Sequence, residues 1–276
     1  MFLRVGPALS PDLSVIGTRM VGMGNVEGIR AKLARALEHL GTLDDQLGTY
    51  LDTSPFEIQR QIQPDGETSV FALQVRRPPP IELSVIVGEV AHQLRSAVEH
   101  IAFGLVLAAG NAPTDRTVFP VLVKRPASLR IEGGVTAEAL EIVDRVQPYT
   151  QLDAESHPLH VLHRLWNVDK HRSLHLTALL LRESQIFLSP SDGSSMVGGQ
   201  FQSGPLGHEG IIGVFRFAGG TADPDMEVLA SGETFVALGD SGPWPNDRPV
   251  LLVLEELIKY VSMTLVPMFE PHLSDA

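Results

Sequence analysis

Two short segments carry most of the residues that could do chemistry, Gly88 to His100 (GEVAHQLRSAVEH) and Leu162 to His175 (LHRLWNVDKHRSLH). The first places Glu89, His92, Arg95, Ser96, Glu99 and His100 among Val90, Leu94, Val98, Ile101 and Leu105; the second gathers Asp169, Lys170, His171, Arg172 and His175. Ionisable groups on an apolar helix need a counter-charge, a hydrogen bond or a ligand. Each segment offers the other what it lacks: Arg95 for Asp169, and Glu89 or Glu99 for Lys170 or Arg172. At about 100° per residue, Glu89, His92, Ser96, Glu99 and His100 fall within about a third of the helix circumference, with Arg95 at the border. That face carries an acid, a base, a hydroxyl and a cation.

The chemistry on offer divides three ways. Arg95 could hold a phosphate bidentately while His100 moves a proton, with His171 and Asp169 as further catalytic candidates and Glu89, His92, Ser96, Glu99, Lys170 and Arg172 as binding groups. Alternatively, Glu89-x-x-His92 with the His171-x-x-x-His175 pair could ligate one zinc or iron ion. The plain structural reading is a buried polar network locking two helices together. No phosphate-loop glycine pattern, Gly-x-Ser-x-Gly elbow or His-Glu-x-x-His sequence is present. His157, His160 and His163, spaced by three, drift around a helix and read as surface and loop histidines beside Pro158.

HQLRSAVEH, followed by QPY and NVDKHR, resembles an uncharacterised bacterial family sharing His-Asn-Leu-Arg-Ser-x-x-Asp/Glu-His and Asn-x-Asp-Lys-His-Arg; Gln93 stands here for the usual Asn. The resemblance spans roughly Gly88 to Arg172 and implies no activity. Arg95-Ser-Ala-Val-Glu-His100 is also similar to the Arg-x4–6-His signature of HEPN ribonucleases, helical proteins of toxin–antitoxin and defence systems. That similarity implies a metal-independent ribonuclease, a toxin or defence effector, with Arg95 on the scissile phosphate and His100 as acid or base. It also implies two protomers pairing over one RNA backbone. Ser96 departs from the residue usual after the arginine, and a strand-rich C-terminal half is not part of a HEPN bundle. The other readings stay open: a non-catalytic binding or scaffold protein, or a mononuclear metal-dependent hydrolase.

These residues need elements to position them. From Glu27, Ile29, Leu33, Ala36, Leu40, Leu43, Leu47 and Tyr50 form a heptad seam. It packs on the protein's own core or pairs in a dimer coiled coil, and Gly41 and Gly48 disfavour a free-standing helix. A homodimer with the helical half at its interface is the expected assembly. FEIQRQI and TSVFALQV flank a Pro-Asp-Gly turn and read as a hairpin. A helix follows from about Glu82 to Ala109, then TVFPVLV as a short strand or extended stretch. Another helix runs from about Thr136, a plausible N-cap, to Val146. Strand-like runs (IIGVFRF, EVLA, TFVAL) lead to a closing helix striped by Val250, Leu251, Leu254, Leu257, Ile258, Val261 and Leu265. The expected fold is one α+β domain: a helical layer, HEPN-like or another bundle, over about 25–175 plus 249–269, with a strand-rich part over about 176–245.

The 276 residues are 43% hydrophobic and 20% charged, a globular composition. No apolar run reaches the ~20 residues of a membrane span, so no membrane partner is expected. MFLRV lacks a signal-peptide core. The absence of cysteine excludes disulfides and thiolate chemistry and fits a cytoplasmic protein. A net charge of −12 opposes non-specific nucleic-acid binding, so RNA would have to use a local basic patch such as Arg164, Lys170 and Arg172.

Overall fold

The seam of the first helix is consumed inside the protomer. The computed structural model describes residues 24–172, 174–180, 185–189, 195–201, 204–206, 209–218, 227–231, 234–239 and 248–273. Helix α1 (Gly24–Asp52) buries Ile29, Leu33, Ala36, Leu40, Leu43, Leu47 and Tyr50. It packs along α2 (Ile81–Ala108) and against α5 (Val250–Lys259). The seam is therefore core, and it is not available as a coiled-coil interface.

Between α1 and α2, β1 (Phe56–Ile62) and β2 (Thr68–Val75) form the expected hairpin. Its turn is closed by Asp65, whose Oδ1 accepts from the N–H groups of Glu67 at 3.0 Å and Thr68 at 2.9 Å, while Gly66 takes φ 68°. Three prolines, Pro78 to Pro80, end the hairpin and start α2. α3 (Ala137–Arg145) begins where Thr136 accepts the Ala139 N–H at 3.2 Å, and α4 (Pro158–Asp169) begins at His157.

The chain then turns to strands: β3 (Leu176–Leu180), β4 (Gln185–Ser189), β5 (Ser195–Phe201), β6 (Gly204–Leu206), β7 (Glu209–Ala218), β8 (Glu227–Ser231) and β9 (Thr234–Leu238). Their pairing is antiparallel, in three sheets ordered β1-β2-β7-β5, β6-β3-β9 and β4-β8. The hairpin is thus not separate from the C-terminal strands; β2 pairs with β7 across a bulge at Phe71/Ala72. The closing helix passes from α5 through a π-helical stretch, Tyr260–Leu265, into α6 (Val266–Phe269), and returns to the helical layer. The architecture is α+β. No helix among the described residues is long and apolar enough to cross a membrane.

Candidate functional site

TVFPVLV joins no sheet. It runs extended beside α2, and its backbone groups must find partners elsewhere. They find them in side chains. Nη2 of Arg95 donates to the Phe119 carbonyl at 2.8 Å and pairs with Oε1 of Glu99; Oε2 of Glu99 accepts the Phe119 N–H at 2.7 Å. Arg95, Glu99 and the backbone of Phe119 form a closed ring. Gln147, fully buried, does the same one step on: its Oε1 accepts from the Leu122 N–H at 3.0 Å, and its Nε2 donates to the carbonyls of Pro120 at 2.9 Å and Val143 at 3.2 Å. The Tyr149 N–H donates to the Leu122 carbonyl at 3.3 Å. The Arg-x-x-x-Glu and Gln-Pro-Tyr motifs therefore meet on one extended segment, which Phe119 also anchors edge-to-face on Phe269, centroids 5.7 Å apart.

Arg95 is only 3% exposed. Burial pushes its pKa down and Glu99 opposes the shift, so the ion pair keeps the cation tolerable inside the protein. The guanidinium lies 5.3 Å over the Trp166 ring, and Nε and Nη1 have no hydrogen-bond partner among the described residues. Trp166 also carries Lys170, whose Nζ lies 3.0 Å from the ring centroid.

His100 faces elsewhere. Five residues along a helix turn about 140° round the axis, and His100 meets α1, where a Cβ on Gly28 would come within 2.9 Å of its Nδ1. Burial first and Lys32 second push its pKa down. Arg95 and His100 thus look toward different neighbours. Glu89 pairs with His39 of α1, Oε2 to Nδ1 at 3.2 Å, and His92 is exposed one turn on. Ser96 is half-buried in the same stripe.

The second segment reaches the first through Asp169. Its carboxylate lies so close to Gly88 that any Cβ there would overlap it. Burial pushes the Asp169 pKa up, His92 pulls it down and Glu89 pushes it up again. The two segments meet, though not through the expected cross-pairs: the carboxylate partner of Arg95 is Glu99 on its own helix, and Lys170 rests on Trp166. His171, Arg172 and His175 are exposed beyond the end of α4. His175 stacks its backbone on the β9 end, with the Gly239 N–H donating to its carbonyl at 2.8 Å. Among the described residues no group of three or more His, Asp or Glu gathers as metal ligands, so Glu89, His92, His171 and His175 are not brought together.

Several contributors carry no spacing signal. His157 is buried, not a surface histidine: its Nδ1 accepts the Leu159 N–H at 3.1 Å, and its ring meets Tyr260 edge-to-face. Burial first, then His160, push its pKa down to about 4. His163 is half-buried beside Trp166, bonded at Nε2 to Asn167 Nδ2 at 2.9 Å, with Nδ1 unpartnered. Burial, then Arg95, push it down to about 4. The chain matches no protein-family model, no curated protein and no solved structure.

Proposed function

We propose that the protein is a non-catalytic binding or scaffold protein, in which the α2–α4 polar residues build the helical half instead of turning over a substrate. Arg95 carries this reading. It is 3% exposed and spends one nitrogen on Glu99 and the Phe119 carbonyl. A phosphate clamp needs its guanidinium open to solvent, whereas here it is buried and holds the Phe119 backbone against α2.

Metal-independent RNA cleavage remains a second reading on one observation. Two donors of Arg95, Nε and Nη1, have no hydrogen-bond partner among the described residues, and the neutral imidazole of His163 shares the Trp166 ring with them. That would pair Arg95 with His163 in place of His100.

The same variants test both. If Arg95 is structural, Arg95→Ala strands the Glu99 carboxylate and should cost about 3–5 kcal/mol, roughly a 10 °C fall in melting temperature. Wild type should leave single-stranded RNA intact in excess EDTA. Cutting to 2′,3′-cyclic phosphate ends, lost in Arg95→Ala and His163→Ala at unchanged melting temperature, would overturn the scaffold reading.

A further inference from the structure

Ile81, Val85, Phe103 and Leu107 are large apolar residues of α2, yet 55%, 51%, 40% and 39% exposed. Scattered exposed apolar side chains are ordinary. These four share one stripe with Glu89, His92, Ser96 and Glu99, and its apolar and acidic positions are disposed evenly about a midpoint. Thirteen residues either side of Leu94 stand Ile81 and Leu107; nine either side, Val85 and Phe103; five, Glu89 and Glu99; two, His92 and Ser96. A surface that complements itself about a midpoint is what a two-fold axis requires.

We propose that this face of α2 is a homodimer interface, two copies packed antiparallel about an axis that crosses the stripe between His92 and Ser96, level with the core-facing Leu94. Val85 of each copy then meets Phe103 of the other, and Ile81 meets Leu107, so apolar ends cover apolar ends. At the centre His92 faces Ser96, and one turn further out Glu89 of each copy faces Glu99 of the other, with His92 as the neighbouring base. Those carboxylates are already held within each protomer, Glu89 by His39 and Glu99 by Arg95. Val118, 52% exposed, precedes Phe119 on the segment that Glu99 holds. From Ile81 to Leu107 the stripe is about 39 Å long. A shallow crossing along that length buries on the order of 1,000 Å² in total, the threshold for a specific interface. An unrelated partner would have no need of the midpoint symmetry. The inference goes beyond the scaffold reading and does not depend on it.

The chain has no cysteine, which makes crosslinking clean. Val85→Cys with Phe103→Cys should oxidise to a covalent dimer. Val85→Cys alone should not, since the two copies of position 85 stand about 27 Å apart along antiparallel helices, far beyond disulfide reach. By light scattering on a sizing column, wild type should be a dimer at micromolar concentration. Val85→Glu and Phe103→Glu, both at exposed sites, should each weaken it more than about tenfold with helicity unchanged. A wild-type monomer would overturn the proposal, as would a dimer that both substitutions leave intact or a double-cysteine variant that stays uncrosslinked.

Discussion

The side chains that respond most to their surroundings are the histidines of α4. His157 caps the helix only while Nδ1 is unprotonated, because the Leu159 N–H needs an acceptor there. Its pKa of about 4 lies below the ordinary value of 6.5, so the unfolded chain takes up a proton first. The stability this confers is complete above pH ~6.5 and is lost as pH falls toward ~4, on the order of 3 kcal/mol. His163 and His100 shift in the same direction. Melting temperature should therefore drop steeply between pH 7 and pH 4.5. His157→Asn keeps a capping acceptor but takes no proton, so part of that slope should vanish; an unchanged slope would exclude His157 as a source. Asp169 has the opposite sign. Its raised pKa means the fold prefers the protonated acid, a preference met at low pH and lost as pH rises through the folded value. The spacing of charged residues in the sequence pointed to Arg95, Glu99 and Asp169 as groups needing partners. It did not point to the Phe119 peptide, since a backbone N–H and C=O belong to every residue alike.

At the scale of elements, the contact between α2 and α4 turns on one missing methyl group. Gly88 sits mid-helix, where alanine would ordinarily stabilise by about 1 kcal/mol. Here the Asp169 carboxylate occupies the space a Cβ needs. Gly88→Ala should fail to stabilise the wild type yet stabilise an Asp169→Ala protein, and chemical denaturation of the four proteins measures the coupling. Additive effects would mean that Asp169 moves aside freely. The helices themselves were legible: the α1 seam, the Thr136 cap and the closing stripe all follow from periodicity and end signals. The segment 117–123 was legible as a short strand or an extended stretch, and it forms no strand. Its partners are side chains from α2 and from Gln147, and a side-chain clamp leaves no period in the sequence.

The two halves of the chain are joined through β2 and β7, whose residues are about 140 positions apart and pair from Thr68↔Arg216 to Gln74↔Glu209. The hairpin turn and a strand-like run marked the two strands, but nothing in either announces the other, because strand pairing is a non-local choice among many compatible edges. The pairing has consequences for stability. Phe71, fully buried, meets Phe215 edge-to-face at 5.5 Å, and Glu67 at the hairpin turn reaches Arg216 at 2.8 Å. A hairpin alone is marginal in water, so β1 and β2 depend on β7 and β5 for their order, while α1 and α2 flank the hairpin in the chain. Loss of the ring contact should then be felt by helices and strands together. Phe71→Ala and Phe215→Ala should each cost about 3–5 kcal/mol, and the double variant less than their sum, since both remove the same contact. Calorimetry should show one transition that moves as a whole. Two transitions, with the substitution shifting only one of them, would mean that the helical and strand-rich parts unfold independently and that the β2–β7 ladder couples them weakly.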